Sequence, residues 1–306
     1  MNIRALQYFV ALADLRNFSR AAEACFVTQP TLSIQIRKLE DELGVQLIER
    51  TPRKIMLTEV GIDIAERASE IIHDIDQLKA IARRATDPGA GILRLGIFPT
   101  LAPYLLPHIV PGIRKAFPKL QLQMFEEKTA DVLQLLKRGK LDAGILALPI
   151  DEEQLNFKVL FDEPFVAAMP VSHPLADSKY LYVNDLRGQD LLLLEEGHCL
   201  RDHALEVCSM VGATEKLNLQ ATSLETLRMM VAADVGITLL PVLSVKPPVP
   251  KTENLALRPF HPPEPKRTLV LCWRRSSAMA DFFEQLADLI RQLPEELLTT
   301  NTGDKL

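Results

Sequence analysis

Two cysteines, Cys199 and Cys208, stand nine positions apart in the run Gly197-His198-Cys199-Leu200-Arg201-Asp202-His203-Ala204-Leu205-Glu206-Val207-Cys208. Leu200 to Val207 reads as a short amphipathic helix, with Leu200, Ala204 and Val207 on one face. At about 1.5 Å of rise per residue the two sulfurs would lie roughly 13 Å apart along the axis and on opposite faces. A disulfide needs Cα atoms within about 7 Å. The pair can bond only if the helix unravels, as a thiol switch requires and a static bridge does not.

The neighbours of Cys199 suggest the same chemistry. Gly197 suits a turn, and the dipole of a starting helix, with His198 and Arg201 beside it, favours thiolate over thiol. A thiolate is the form that peroxides oxidise to sulfenic acid, which a second thiol captures as a disulfide. Two unrelated buried cysteines are the plainer reading. A zinc site from His198, Cys199, His203 and Cys208 is weaker, because no CxxC or HxxxH spacing is present. Spacing alone leaves switch and coincidence open.

The remaining elements must position these residues. The chain has 306 residues, 47% of them hydrophobic and 6% aromatic, enough for two or three domains. No apolar run approaches the roughly 20 residues of a membrane span, and MNIRALQYFV lacks the pattern of a signal peptide. Four cysteines in such a chain form no disulfide framework. A cytoplasmic protein, nucleoid-associated when bound to DNA, fits; disulfides in a reducing compartment are more often regulatory than structural. Net charge is −5, with 12 cations against 13 anions up to Pro88. Bulk charge therefore gives no sign of nucleic acid, and binding would need a local arrangement of cations.

Residues 1–58 read as packed short helices. Ile3–Leu15 carries Leu6, Phe9, Val10 and Ala13 on one face, and Phe18–Cys25 forms a compact second helix. Thr28 caps a third, with Pro30 in its first turn and Gly44 at its end. The cationic turn Arg50-Thr51-Pro52-Arg53-Lys54 and a short strand complete a winged helix-turn-helix order. In that order Gln29, Pro30, Thr31 and Ser33 meet base edges, while Arg50 and Arg53 flank the wing and meet phosphate. Residues 59–88 read as a long helix and hinge. Ile64, Ala68, Ile71, Ile75 and Leu78 form a heptad seam suited to pairing with a second copy. From residue 89 strands and helices alternate, an α/β pattern expected to be mostly parallel, in two lobes: about 89–163 with 268–306, and about 164–267. Cys25 and Cys272 read as buried small hydrophobes.

The residues Ala21-Ala22, Gln29-Pro30-Thr31-Leu32-Ser33, Ile36, Leu39-Glu40, Leu43-Gly44, Leu47, Arg50, Thr58 and Gly61 closely resemble the DNA-binding domain of LysR-type transcriptional regulators. The segment Val235-Gly236-Ile237-Thr238-Leu239-Leu240-Pro241 is similar to a stretch of that family's effector domains. Gly197–Cys208, Pro103–His108, Phe161–Pro164 and Ala221–Arg228 look like the peroxide-sensing branch of the family. The resemblance implies a linker helix that dimerises, a two-lobed domain like a periplasmic binding protein, and a tetramer of paired dimers. It implies operator DNA and RNA polymerase as partners, and no enzymatic turnover or cofactor. Cys199 would be the peroxidatic cysteine and Cys208 the resolving one, with Thr100, Thr129 and His198 in the peroxide pocket and Asp202 next to them. A strained disulfide would be reset by a glutaredoxin-type thiol reductant. His203, where many relatives are expected to carry Gln, and Phe98 are departures. A regulator answering to a small organic ligand between the lobes, with Cys199 incidental, is the alternative.

Overall fold

The computed structural model describes residues 2–50, 55–86, 90–150 and 153–300. Arg53 and the first part of the hinge lie outside the described residues. The chain divides into two compact units, Met1–Pro88 with Gln134–Leu141, and Gly89–Leu133 with Asp142–Leu306.

In the first unit, α1 (Ile3–Leu15), α2 (Phe18–Ala24) and α3 (Gln29–Leu43) start at side-chain caps from Asn2, Asn17 and Thr28. Each cap oxygen accepts one of the backbone N–H groups that a helix start leaves unpaired. Gly44 ends α3 in the left-handed conformation, at φ 71°. Leu6, Phe9 and Leu12 of α1 pack with Ala21, Ala22, Leu32, Ile36 and Leu39. The antiparallel pair β1 (Ile48–Arg50) and β2 (Ile55–Leu57) forms the wing. Its entry is pinned by Glu40, whose Oε1 accepts from Leu47 N at 2.9 Å and Ile48 N at 3.3 Å. Gly61 is needed for space, since a Cβ there would lie 2.1 Å from the Leu47 carbonyl oxygen.

The long helix α4 spans Glu59–Thr86. Its seam divides in two. Ala68 is 2% exposed and Ile64 packs beside it, both against the unit's own core. Ile71 and Leu78 stay 38% and 65% exposed. A three-helix head of this size does not close its core without the first turns of α4, so the first two seam positions serve the chain itself. Over two and a half heptads a 3.5-residue period drifts from a 3.6-residue one by only about 20° per heptad, so the pattern could not separate the two uses.

The second unit is built on a seven-stranded sheet with order β10-β6-β11-β5-β3-β4 and β9 beside β6. These strands are β3 (Gly91–Ile97), β4 (Leu120–Glu126), β5 (Ala143–Ala147), β6 (Leu155–Pro170), β9 (Thr238–Pro241), β10 (Leu255–Arg258) and β11 (Lys266–Arg274). A separate parallel pair joins β7 (Asp190–Leu194) to β8 (Thr214–Ala221). The sheet is mixed, which corrects the mostly parallel expectation: β3 pairs in parallel with β4 and β5, but β11 pairs antiparallel with β5 and β6, and β6 antiparallel with β9 and β10. The long β6 makes the difference. Its first part pairs with β11 and its last residues with β9 and β10, so one strand serves two sets of antiparallel neighbours. Helices α5 (Ala102–Ala116), α6 (Thr129–Lys137), α7 (Cys199–Val211), α8 (Leu224–Ala232), α9 (Ala280–Ile290) and the short α10 (Glu295–Leu298) complete the chain. No helix among the described residues is long and apolar enough to cross a membrane.

Candidate redox site and DNA-reading helix

Both cysteines of the closely spaced pair belong to α7, with Cys199 its first residue. Leu200, Ala204 and Val207 are buried along one stripe, and Cys208 is buried with them. Cys199 is half-buried and both thiols are free. The helix continues past the expected end at Val207 to Gly212, whose N–H and that of Ala213 donate to the Cys208 carbonyl at 2.9 and 3.1 Å. Its N-cap, His198, makes no side-chain cap bond. Two side-chain tethers hold it instead. Arg201 forks onto Glu215 at 2.6 and 2.7 Å and reaches Leu194 O at 3.0 Å. His203 Nε2 lies 2.9 Å from Leu148 O.

The environment of Cys199 corrects the expected thiolate. Burial pushes its thiol above the ordinary value, and Asp202 adds to the rise. The opposing influences are the Arg267 charge, the Thr129 hydroxyl and the Leu200 backbone N–H. Arg201 does not supply the positive charge, because its guanidinium is spent on Glu215. His198 does not supply it either: burial first, then the Lys128 charge, hold its pKa below the usual imidazole range. The cation at the site is Arg267, 1% exposed and 68 residues further along the chain. Its Nε donates to Glu163 at 2.8 Å, its Nη1 to Thr100 Oγ1 and its Nη2 to Thr100 O, each at 3.1 Å. Its guanidinium lies 4.9 Å from the Phe98 ring centre. Glu163 also accepts from Leu243 N at 3.0 Å. Arg267 carried no local signal, being an ordinary cation at the start of a strand.

Thr100, Thr129 and His198 converge on this region in different states. Thr100 is buried and engaged by Arg267. Thr129 Oγ1 and His198 Nε2 are buried without a hydrogen-bond partner. The Thr129 hydroxyl acts on the Cys199 sulfur as a donor that would stabilise a thiolate, yet makes no regular bond to the resting thiol. Asp202 is exposed and bears on Cys199 only through its charge. Buried polar atoms without partners carry a desolvation penalty of about 1–3 kcal/mol each, so a small polar guest would be favoured there.

The turn before Cys199 is clasped by Lys128, from the segment that leads into α6. Lys128 Nζ donates to Glu195 Oε1 at 2.6 Å and to Glu196 O at 3.0 Å. Gly197 adopts φ +89°, and a Cβ there would come within 3.1 Å of the Lys128 side chain. Among the described residues no group of three His, Cys, Asp or Glu side chains could hold a metal ion. Cys272 donates to Gly144 O at 3.3 Å inside the sheet, and burial pushes its thiol up to about 12. Cys25 is half-buried at the end of α2, where burial raises its pKa.

In the first unit α3 buries Leu32, Ile36 and Leu39 and turns Gln29, Pro30 and Thr31 outward, with Ser33 half-buried. Ser19 donates to Gln29 Oε1 at 3.0 Å, tying the start of α2 to that of α3. Arg50 ends β1.

Residues 3–62 match the bacterial regulatory helix-turn-helix proteins of the lysR family, and residues 86–294 match the LysR substrate binding domain. The chain is 48% identical over 292 residues to a hydrogen peroxide-inducible genes activator of Pectobacterium carotovorum subsp. carotovorum, covering 95% of this chain and 96% of that protein. It superposes on a full-length OxyR variant of Pseudomonas aeruginosa with a TM-score of 0.81 at 37% identity, covering 99% of both chains. A cysteine variant of Corynebacterium glutamicum OxyR with hydrogen peroxide bound matches with a TM-score of 0.68 at 31% identity, covering 97% of this chain and 94% of that one. With a LysR-type reading head at one end and a LysR substrate binding domain covering most of the rest, the chain belongs to the LysR family of transcriptional regulators.

Proposed function

We propose that this regulator senses hydrogen peroxide through Cys199 and reports it by forming a Cys199–Cys208 disulfide. The carrying observation is the pair of buried polar atoms that make no regular hydrogen bond, Thr129 Oγ1 and His198 Nε2, beside a free thiol that Arg267 supports with positive charge. The names of the similar proteins, peroxide-inducible activators and peroxide-bound OxyR, support the same reading.

In the first step the Cys199 sulfur, as thiolate, attacks one oxygen of peroxide. The O–O bond breaks, the sulfur becomes a sulfenic acid, and the other oxygen leaves as water once protonated. Thr100, Thr129 and His198 hold the oxidant, with Asp202 at the rim. Because burial disfavours a standing thiolate, selectivity for peroxide comes from these groups and not from general thiol reactivity. In the second step the Cys208 sulfur displaces water from the sulfenic acid and closes the disulfide. Nine helical steps set Cys199 and Cys208 roughly 13 Å apart in axial rise, against the 7 Å or so between Cα atoms that a disulfide tolerates, so α7 must unwind. Loss of that packed helix shifts how two regulatory units pair and re-aims the reading heads on the operator.

The working form is a dimer through the outer part of the α4 seam, exposed Ile71 and Leu78 with half-buried Ile75, and a tetramer of two such dimers. RNA polymerase is the downstream partner, and a glutaredoxin-type thiol reductant returns the disulfide to two thiols. Gln29, Pro30, Thr31 and Ser33 read bases, while Arg50 and Arg53 hold phosphate.

Peptide mass spectrometry after brief stoichiometric peroxide tests the switch. A Cys199–Cys208 link with Cys25 and Cys272 still reduced is expected. A Cys199→Ser protein whose operator footprint still changes with peroxide would end the proposal.

A further inference from the structure

We propose that Ile34 is a specificity-determining residue that reads the C5 methyl group of a thymine in the operator major groove. Three residues of α3, Leu32, Ile36 and Leu39, point into the core. At 100° per residue Ile34 lies roughly opposite their mean direction. It is 54% exposed, on the outward face of a helix in the family's DNA-reading head. Pro30 stands one turn before it and Arg37 and Lys38 one turn after, all three exposed.

Nothing in the free chain rewards an isoleucine at that place. A β-branched side chain loses χ1 freedom in a helix, and an apolar group left in water gains no burial. Alanine would serve the helix better. The contribution of Ile34 therefore arises in a complex. Arg37 and Lys38, which flank Ile34 on the outward face one turn nearer than exposed Asp41, choose the occupant, because cations beside a reading residue complement the phosphate backbone of duplex DNA and not an apolar protein face. Within the major groove only thymine among the four bases presents an apolar group. Ile34 has no donor or acceptor with which to read any other base. Base choice on α3 is then divided between polar contacts at its first turn and one methyl contact at the second.

The test uses the full-length chain and duplexes recovered by selection from a randomised library. In the recovered operator each thymine is replaced singly by deoxyuridine, which deletes the methyl and leaves the pairing intact. One replacement per half-site should weaken binding about fourfold, the factor expected for one buried methyl. Ile34→Ala should bind the parent operator more weakly, lose its sensitivity to that replacement, and melt no lower than the unchanged protein. Replacing the same thymine pair by a 5-methylcytosine pair should be tolerated better than a plain cytosine pair. An Ile34→Ala protein that keeps the full deoxyuridine penalty overturns the proposal. So does an operator that binds tightly with no methyl-sensitive position, or an Ile34→Ala protein whose only change is its oligomeric state. Failure of both proteins to bind any duplex would instead remove the DNA-reading premise.

Discussion

Helices α3 and α7 each begin with residues of the candidate sites, Gln29 and Cys199, but are anchored in opposite ways. Helix α3 begins with a capping threonine whose Oγ1 accepts from Thr31 N and rests 2.8 Å from Thr31 Oγ1. It is seated on a core of three aliphatic side chains and ends at a left-handed glycine. Helix α7 ends at a left-handed glycine too, at φ 72°, but its cap residue His198 makes no capping bond. Side-chain tethers from Arg201 and His203 hold it in place. A helix that presents groups to a rigid groove gains from a locked start. A helix that unravels from its first residue, as proposed for α7, gains from an open start and a few breakable ties. The difference fits the rigid reading helix and the switch proposed above.

The largest effect is expected where the switch region is least replaceable. Arg267→Met leaves Glu163 charged and buried with its main partner gone, so the second unit should lose about 3–5 kcal/mol in denaturant unfolding. The peroxide reaction should slow as well, while the isolated cap of α3 feels nothing. A variant as stable as the unchanged protein but slower with peroxide would confine Arg267 to chemistry.

Arg201→Met sharpens the contrast by cutting the stronger tether of α7. Loss of a forked, largely buried ion pair should cost about 1.5–3 kcal/mol locally. In stopped-flow experiments the step from sulfenic acid to disulfide should accelerate, with sulfenic acid formation little changed. Acceleration of both steps alike would mean that Arg201 acts on the thiol and not on the helix.

Thr28→Ala should destabilise the DNA-reading unit by about 1 kcal/mol and weaken operator binding, leaving peroxide chemistry untouched. An unchanged melting profile would show that packing of Leu32, Ile36 and Leu39 alone sets the start of α3.

The smallest effect is a pH dependence. Cys199 has its pKa raised, so the reactive thiolate fraction should keep climbing with pH beyond the ordinary thiol value, without a plateau near neutrality. His198 has its folded pKa lowered, so the unfolded chain binds the extra proton first. Stability of the second unit should therefore decline as pH falls through the usual imidazole value of about 6.5. His198→Gln should flatten that decline, and a parallel decline in the variant would assign it to another group.

Much of the reading head was legible because its signals are local. The cap at Thr28, Pro30 in the first turn and Gly44 at the end are short-range backbone chemistry, and they bound α3 as the spacing predicts. The α4 seam shows the limit of periodicity: Ala68 fits a heptad yet belongs to the chain's own core, while Leu78 in the same pattern stays exposed. Ile34 shows another limit, since an apolar residue in a helix reads as core until its direction is known.

By itself the sequence determined the element order of the reading head, the family and the two cysteines that carry the redox reading, because each rests on residues within a few positions of one another. Tertiary structure alone decided the state of those cysteines. The Arg267 charge reaches Cys199 only because β11 pairs with β6, and their register brings Arg267 opposite Glu163. Burial that raises the thiol, and partner assignments that leave Thr129 and His198 unsatisfied, are sums over distant segments. Electrostatics in a buried site depend on distance and dielectric, and neither is a property of neighbouring letters in a chain.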